Sequence, residues 1–177
     1  PFVIEAAEPR QRDIDVAQLE AEINEFADGK VEVEGLRLAT HEMVERVKEL
    51  DASKTYRMDV EFAEPVTDDA LQAALDDLEG ATIHQETPQR VSPRRADRTR
   101  TREVYAASGD LVDATHADIR VHGEGGLYVK ELISSDEGRT EPSLTGLLGV
   151  ESVVTALDVV DVQGEDEPFA DEDFFRR

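Results

Sequence analysis

The 177-residue chain reads as an α+β protein: a mixed, mostly antiparallel sheet with helices packed on one face. Three observations predict this. Segments of period two interleave with segments of helical period along most of the chain. Two neighbouring period-two segments, 98–107 and 117–123, flank a turn signal at Ser108-Gly109-Asp110 and should pair antiparallel. Apolar residues make up 39 % of the chain, enough for one substantial core or two small ones.

The elements follow in order. Phe2 to Ala7 reads as a strand ended near Pro9. Ile14, Val16, Leu19, Ile23 and Phe26 fall near helical spacing, with Asp13 or Asp15 as N-cap and Gly29 as stop. Val31 to Leu38 reads as a strand, and Thr40 caps a helix over Met43, Val44, Val47 and Leu50. Residues 54–63 alternate, with Tyr56, Met58, Val60 and Phe62 on one face. Thr67 opens a third helix over Leu71, Ala74, Leu75 and Leu78, stopped at Gly80, and Ala81 to Glu86 is again a strand. After the antiparallel pair come a helix over 126–135, a short helix over 143–148 and a long strand over 150–163. This order is compatible with two ferredoxin-like plait halves sharing one sheet around a cleft. Residues 1–86 would form the first half. The arginine-rich segment and second half would fill 87–163, and 164–177 would be an acidic, mobile tail.

Charge narrows the function. Net charge is −23, from 42 acids against 19 Lys and Arg. Disorder is one source of such acidity, but the periodic apolar segments argue against it. A cationic partner is another. A salt-rich cytoplasm fits best, because few lysines and many carboxylates accompany small apolar residues. At molar salt the Debye length is about 3 Å, so acidity does not exclude a nucleic-acid partner. There is no cysteine, hence no disulfide or thiolate metal site. No apolar run approaches the roughly 18 residues of a membrane helix, and no signal peptide is visible. The chain opens on Pro1 rather than Met, as expected of a processed chain or a domain cut from a longer one. His41, His84, His116 and His122 show no metal-binding spacing, and neither a phosphate-binding GxxxxGK[ST] loop nor a strand-linked GxGxxG is present.

Three stretches carry candidate chemistry. TPQRVSPRRADRTRTR (87–102) gathers Arg90, Arg94, Arg95, Arg98, Arg100 and Arg102 against one acid, Asp97. It is either a surface segment balancing nearby carboxylates or a phosphate-contacting patch suited to arginine's planar fork. SKTYRMDV (53–60) places Tyr56 either as a core aromatic or as a shelf for a base. GEGGLYVKELIS (123–134) holds Lys130, one of four lysines, inside an apolar run. Lys130 is either a snorkelling helix lysine or the partner of a carboxylate in a poorly solvated cleft. Gly125 and Gly126 permit a sharp bend just before it.

PFVIEAAEPR, SKTYR, TPQRVSPRRADRTR, GEGGLYVKELISSDEGRTEPSL and TALDVVDV, in this order over residues 1 to 163, resemble the archaeal tRNA pseudouridine synthases that act at tRNA positions 54 and 55. The resemblance implies a pseudouridine-synthase fold and an isomerisation of uridine that needs no cofactor or metal. It implies that Tyr56 is the active-site tyrosine packing on the flipped-out base, and that Lys130 pairs with the catalytic aspartate. Val129 would be the apolar neighbour of Lys130 in the pocket, and Leu157 the apolar residue under the base. Arg90, Arg94 and Arg95 would meet the tRNA backbone. The partner would be the T arm of tRNA, bound by a cytoplasmic monomer with no membrane attachment. In the family the catalytic aspartate lies shortly ahead of the position matching Pro1. The first half is therefore expected to be incomplete and the chain alone inactive. The alternative is a non-catalytic RNA-binding module using only the arginine-rich segment.

Overall fold

The structure is a computed structural model and describes residues 2–94, 96–164 and 167–176. Two compact units are present, residues 1–50 with 165–177, and residues 51–164. The expected junction at 86/87 falls inside the second unit, where strands on either side of it pair.

In the first unit, α1 (Val16–Ala27) is capped by Asp15, whose carboxylate accepts from Ala17 N–H at 3.0 Å and Gln18 N–H at 3.1 Å. α2 (His41–Glu49) follows Thr40, whose hydroxyl makes no capping bond. The strands expected over 2–7 and 31–38 do not form. A strand needs a partner ladder for its amides, and at Val33 and Leu36 side chains take that part. Asn24 bonds both N–H and C=O of Val33, at 2.7 and 2.8 Å, and Glu20 accepts from Leu36 N–H at 2.7 Å. The tail expected to lack structure forms two 3-10 turns, Glu167–Ala170 and Glu172–Phe174, and a bridge from Phe175 to Ala39. Arg37 holds it, pairing with Glu172 at 2.6 Å and lying 3.6 Å over the Phe175 ring.

The second unit is a six-stranded sheet in the order β5-β2-β3-β4-β1-β6. Its strands are β1 (Lys54–Phe62), β2 (Thr82–Glu86), β3 (Thr99–Asp113), β4 (His116–Gly123), β5 (Thr140–Glu141) and β6 (Ser152–Val162). Every pairing between these strands is antiparallel, so a mixed sheet is not seen among the described residues. α3 (Asp68–Leu78) joins β1 to β2, while α4 (Val129–Ser134) and α5 (Leu144–Leu148) lie between β4 and β6.

Pattern explains most of this. Tyr56, Met58, Val60 and Phe62 are buried while Arg57, Asp59 and Glu61 are exposed, the alternation of a sheet covered on one face. Thr67 caps α3 through Ala70 N–H at 3.3 Å, and Leu71, Ala74, Leu75 and Leu78 give the helix one buried stripe. Each of the buried leucines contributes about 1.5–3 kcal/mol. On the open face Asp59 stands opposite Asp118, and Arg57 relieves the repulsion by donating to Asp118 at 2.9 Å.

The turn expected at Ser108-Gly109-Asp110 lies instead at Ala114 and Thr115, and β3 runs straight through Gly109. Gly109 is there for closeness: a Cβ would meet the Asp118 carbonyl oxygen at 2.6 Å. Likewise α4 begins at Val129, later than expected. Gly125 approaches Ala52, whose carbonyl oxygen would lie 2.8 Å from a Cβ, and Gly126 has φ +78°. The chain must finish that bend before it can coil.

Candidate active site

The predicted apolar residues lie in or against the large core of the second unit. Tyr56 (9 % exposed) and Val129 (5 % exposed) belong to one core cluster, and half-buried Leu157 packs against it from β6. Leu157 stands opposite Met58, two residues along β1 from Tyr56. The β1–β6 register shifts between Thr55 and Tyr56, where Val160 is the extra residue and the bulge therefore lies on β6, while β1 stays in register with β4. Burial raises the pKa of its phenol, so the hydroxyl keeps its proton well into alkaline solution.

Lys130 follows Val129 but faces solvent. It has no hydrogen-bond or ion-pair partner among the described residues, so the carboxylate expected opposite it is not found there.

The neighbours of Lys130 are fixed. Tyr128, at the N-cap of α4, has its backbone held by the Gln85 side chain. Glu131 is 5 % exposed and accepts two bonds from Arg90, Nε at 2.6 Å and Nη2 at 3.1 Å. This charge-assisted fork raises the Arg90 pKa, chiefly through the hydrogen bond to Glu131. On the sheet side, Arg100 lies 4.7 Å from the Tyr128 ring centroid.

The arginine-rich segment is built rather than loose. Thr87 closes it: its hydroxyl donates to the Ala96 carbonyl at 2.9 Å and accepts from Arg98 N–H at 3.0 Å. Arg139 pins it from below, pairing with Glu86 at 3.0 Å and Asp97 at 3.1 Å and donating to the Thr87 carbonyl at 2.9 Å. Arg139 follows four consecutive residues with positive φ, Ser135 to Gly138, and within that turn Asp136 accepts from Gln89 N–H at 3.0 Å. Arg94 ends a 3-10 turn (Ser92–Arg94), exposed and with no ion pair among the described residues. Arg98 is likewise exposed and Arg100 half-buried, and neither has an ion pair among the described residues. Arg95 lies outside the described residues.

Among the described residues no three His, Asp or Glu side chains are placed to hold a metal ion, and no helix is long and apolar enough to cross a membrane.

Residues 1–163 match the family model described as Pus10, C-terminal. The chain belongs to the Pus10 C-terminal family. A relative named tRNA pseudouridine synthase Pus10, from Halorubrum lacusprofundi, is 65 % identical over 99 % of this chain and 41 % of its own length. Proteins of the same name are 48 % identical in Methanothrix thermoacetophila, over 93 % of this chain and 36 % of the relative, and 42 % identical in Pyrococcus furiosus, over 92 % and 41 %. The chain thus spans about two fifths of the length of these Pus10 relatives. A chain of a solved Cbf5-Nop10-Gar1 complex is similar in structure, with a TM-score of 0.53 and 28 % identity over 68 % of this chain and 34 % of that one. The fold is that of the pseudouridine synthases, an isomerase family. The Halorubrum relative, from a halophile, agrees with reading the −23 charge as adaptation to salt.

Gln85, Glu131 and Arg139 escape a reading of the sequence. One signal was present. Ile83 and Gln85 share the inward face of β2, and a polar side chain there must find buried partners.

Proposed function

We propose that this chain supplies the base-holding, lysine-bearing wall of a tRNA pseudouridine synthase that isomerises T-arm uridines at positions 54 and 55. The nucleophilic aspartate would come from outside residues 1–177, so the chain alone forms no pseudouridine. One observation carries the reading. Tyr56 and Val129 belong to one apolar core with Leu157 packed against it, and Lys130 follows Val129 with its charge unpaired among the described residues.

The chemistry fits these side chains. An isomerisation consumes nothing: the glycosidic C–N bond breaks, the uracil turns, and carbon takes the place of nitrogen on the sugar. The base must first leave its stack, at a cost of a few kcal/mol, which contact with an aromatic and apolar wall offsets. Tyr56 stays neutral and packs on the base, with Val129 and Leu157 as the apolar surface beneath it. Lys130 pairs with the aspartate, which keeps that carboxylate ionised. Arg94 and Arg95 contact the tRNA backbone. Arg90 was expected to do so as well, but it gives Nε and Nη2 to Glu131. The enzyme is cytoplasmic and acts as a monomer on this reading.

The test is pseudouridine mapping on an unmodified tRNA transcript in molar potassium chloride, with the complete parent protein and its Lys130→Ala variant. T-arm signal from the parent, lost in the variant with tRNA binding kept, is the expected result. A folded parent that binds tRNA and gives no signal would replace the isomerase with an RNA-binding module.

A further inference from the structure

We propose that Gln85 and Arg90 are positioning residues for Lys130, two points of one clamp that place its ammonium group. This rests on the reading of Lys130 given above.

α4 cannot place the lysine unaided. It has six residues, too few for a helix stable on its own. Its N-cap residue, Tyr128, makes no side-chain capping bond, and Gly125 and Gly126 lie just before it. The position of α4 is therefore set by what grips it from outside.

The first grip is Gln85, whose side chain is fully buried. Its amide nitrogen donates to the Tyr128 carbonyl at 2.9 Å, and its amide oxygen accepts from Tyr128 N–H at 2.9 Å. The side chain thus does for Tyr128 what a neighbouring strand would do. The amide nitrogen also donates to Thr140 Oγ1 at 3.3 Å. A flipped amide would set NH2 against the Tyr128 N–H and oxygen against its carbonyl, so one orientation is fixed. The second grip is the bidentate Arg90–Glu131 pair, its carboxylate buried. A fork of this kind fixes direction as well as distance.

The two grips bracket Lys130. One holds residue 128, the other residue 131, and both come from the stretch 85–90. Gln89 N–H adds a tie to Asp136, beyond the end of α4. Movement of that stretch therefore carries the lysine with it.

The experiment uses the complete parent enzyme with enzyme in excess over tRNA, measuring single-turnover pseudouridine formation and tRNA Kd at the same salt. Gln85→Leu is expected to slow the single-turnover step on the order of 100-fold with Kd changed less than about twofold, as for a misplaced group remote from the reacting bond. In a Lys130→Arg background, where the cation is already off its place, the same change should cost less than about fivefold. Glu131→Gln keeps an acceptor for Arg90 and should retain more rate than Glu131→Ala. If Gln85→Leu does not fold, Gln85→Glu serves: it keeps the acceptor for Tyr128 N–H and sets an oxygen against its carbonyl. An unchanged rate in a folded Gln85 variant, or equal losses in both backgrounds, would overturn the clamp and leave Lys130's own role standing. A Lys130→Ala enzyme at full rate would instead overturn the reading beneath it, and the clamp with it.

Discussion

Arg90 and Arg94 lie four residues apart in one arginine-rich run, yet they have opposite fates. Arg90 is committed to buried Glu131, and the run is fastened from beneath by Arg139. Arg94 is exposed without an ion pair among the described residues. A cluster of like charges in a sequence is therefore not one surface. The partner decides, and a carboxylate that the fold has buried makes a far stronger claim on an arginine than one in water.

The largest expected effect tests that contrast in stability. Arg90→Ala strands a buried carboxylate and should destabilise the protein by about 2–4 kcal/mol, below the extreme for such cases because half of the Arg90 side chain is in water. Arg94→Ala should stay within about 0.5 kcal/mol. Denaturant unfolding of both variants at one salt concentration measures this, and equal midpoints would erase the distinction. The next effect is on binding. Removing Arg94 should flatten the slope of log K for tRNA against log salt by about 0.7–0.9, one phosphate's worth, while Arg90→Ala leaves the slope alone. A flatter slope for Arg90→Ala would return that residue to the tRNA backbone.

The smallest effect comes from an exposed pair that calibrates the buried one. His116 lies 2.9 Å from Asp113, and the hydrogen bond raises the histidine pKa and lowers that of the aspartate. The histidine's contribution is complete below its ordinary 6.5 and fades as pH rises through the raised value; the aspartate's is complete above its ordinary 3.8 and fades as pH falls through the lowered one. The pair is thus at full strength between those two values. An NMR titration should find the His116 midpoint above 6.5, and Asp113→Asn should bring it back toward that value. An unmoved midpoint would mean that the pair does not persist in solution.

Legibility in the sequence followed the range of the interactions. β1 and α3 were readable because their burial repeats every second residue or along one helical stripe, which is local information. The stretches 2–7 and 31–38 look as strand-like as β1 but find no ladder, and nothing within them reveals that. Gly109 carried a turn signal, yet it serves the close approach of two strands. At the site, the roles of Tyr56, Val129 and Leu157 came from family likeness, and local pattern shows only that Tyr56 and Val129 are core residues with Leu157 packed against that core. The clamp was invisible because its halves are 43 and 41 positions apart, Gln85 to Tyr128 and Arg90 to Glu131.

Those separations bear on how the protein folds. Bringing such distant positions together costs chain entropy, about 3 kcal/mol plus a constant for a loop near 40 residues. Gln85 and Arg90 are only five positions apart, so one closure serves both. Once either hydrogen-bonded contact forms, the other meets its partner at high effective concentration. Both grips should therefore appear together and late, after the sheet that brings β2 near α4. During synthesis Arg90 emerges before Glu131 exists to receive it, just as Glu86 and Asp97 emerge before Arg139. For that interval each of these side chains waits for a partner of opposite charge that the chain has not yet supplied.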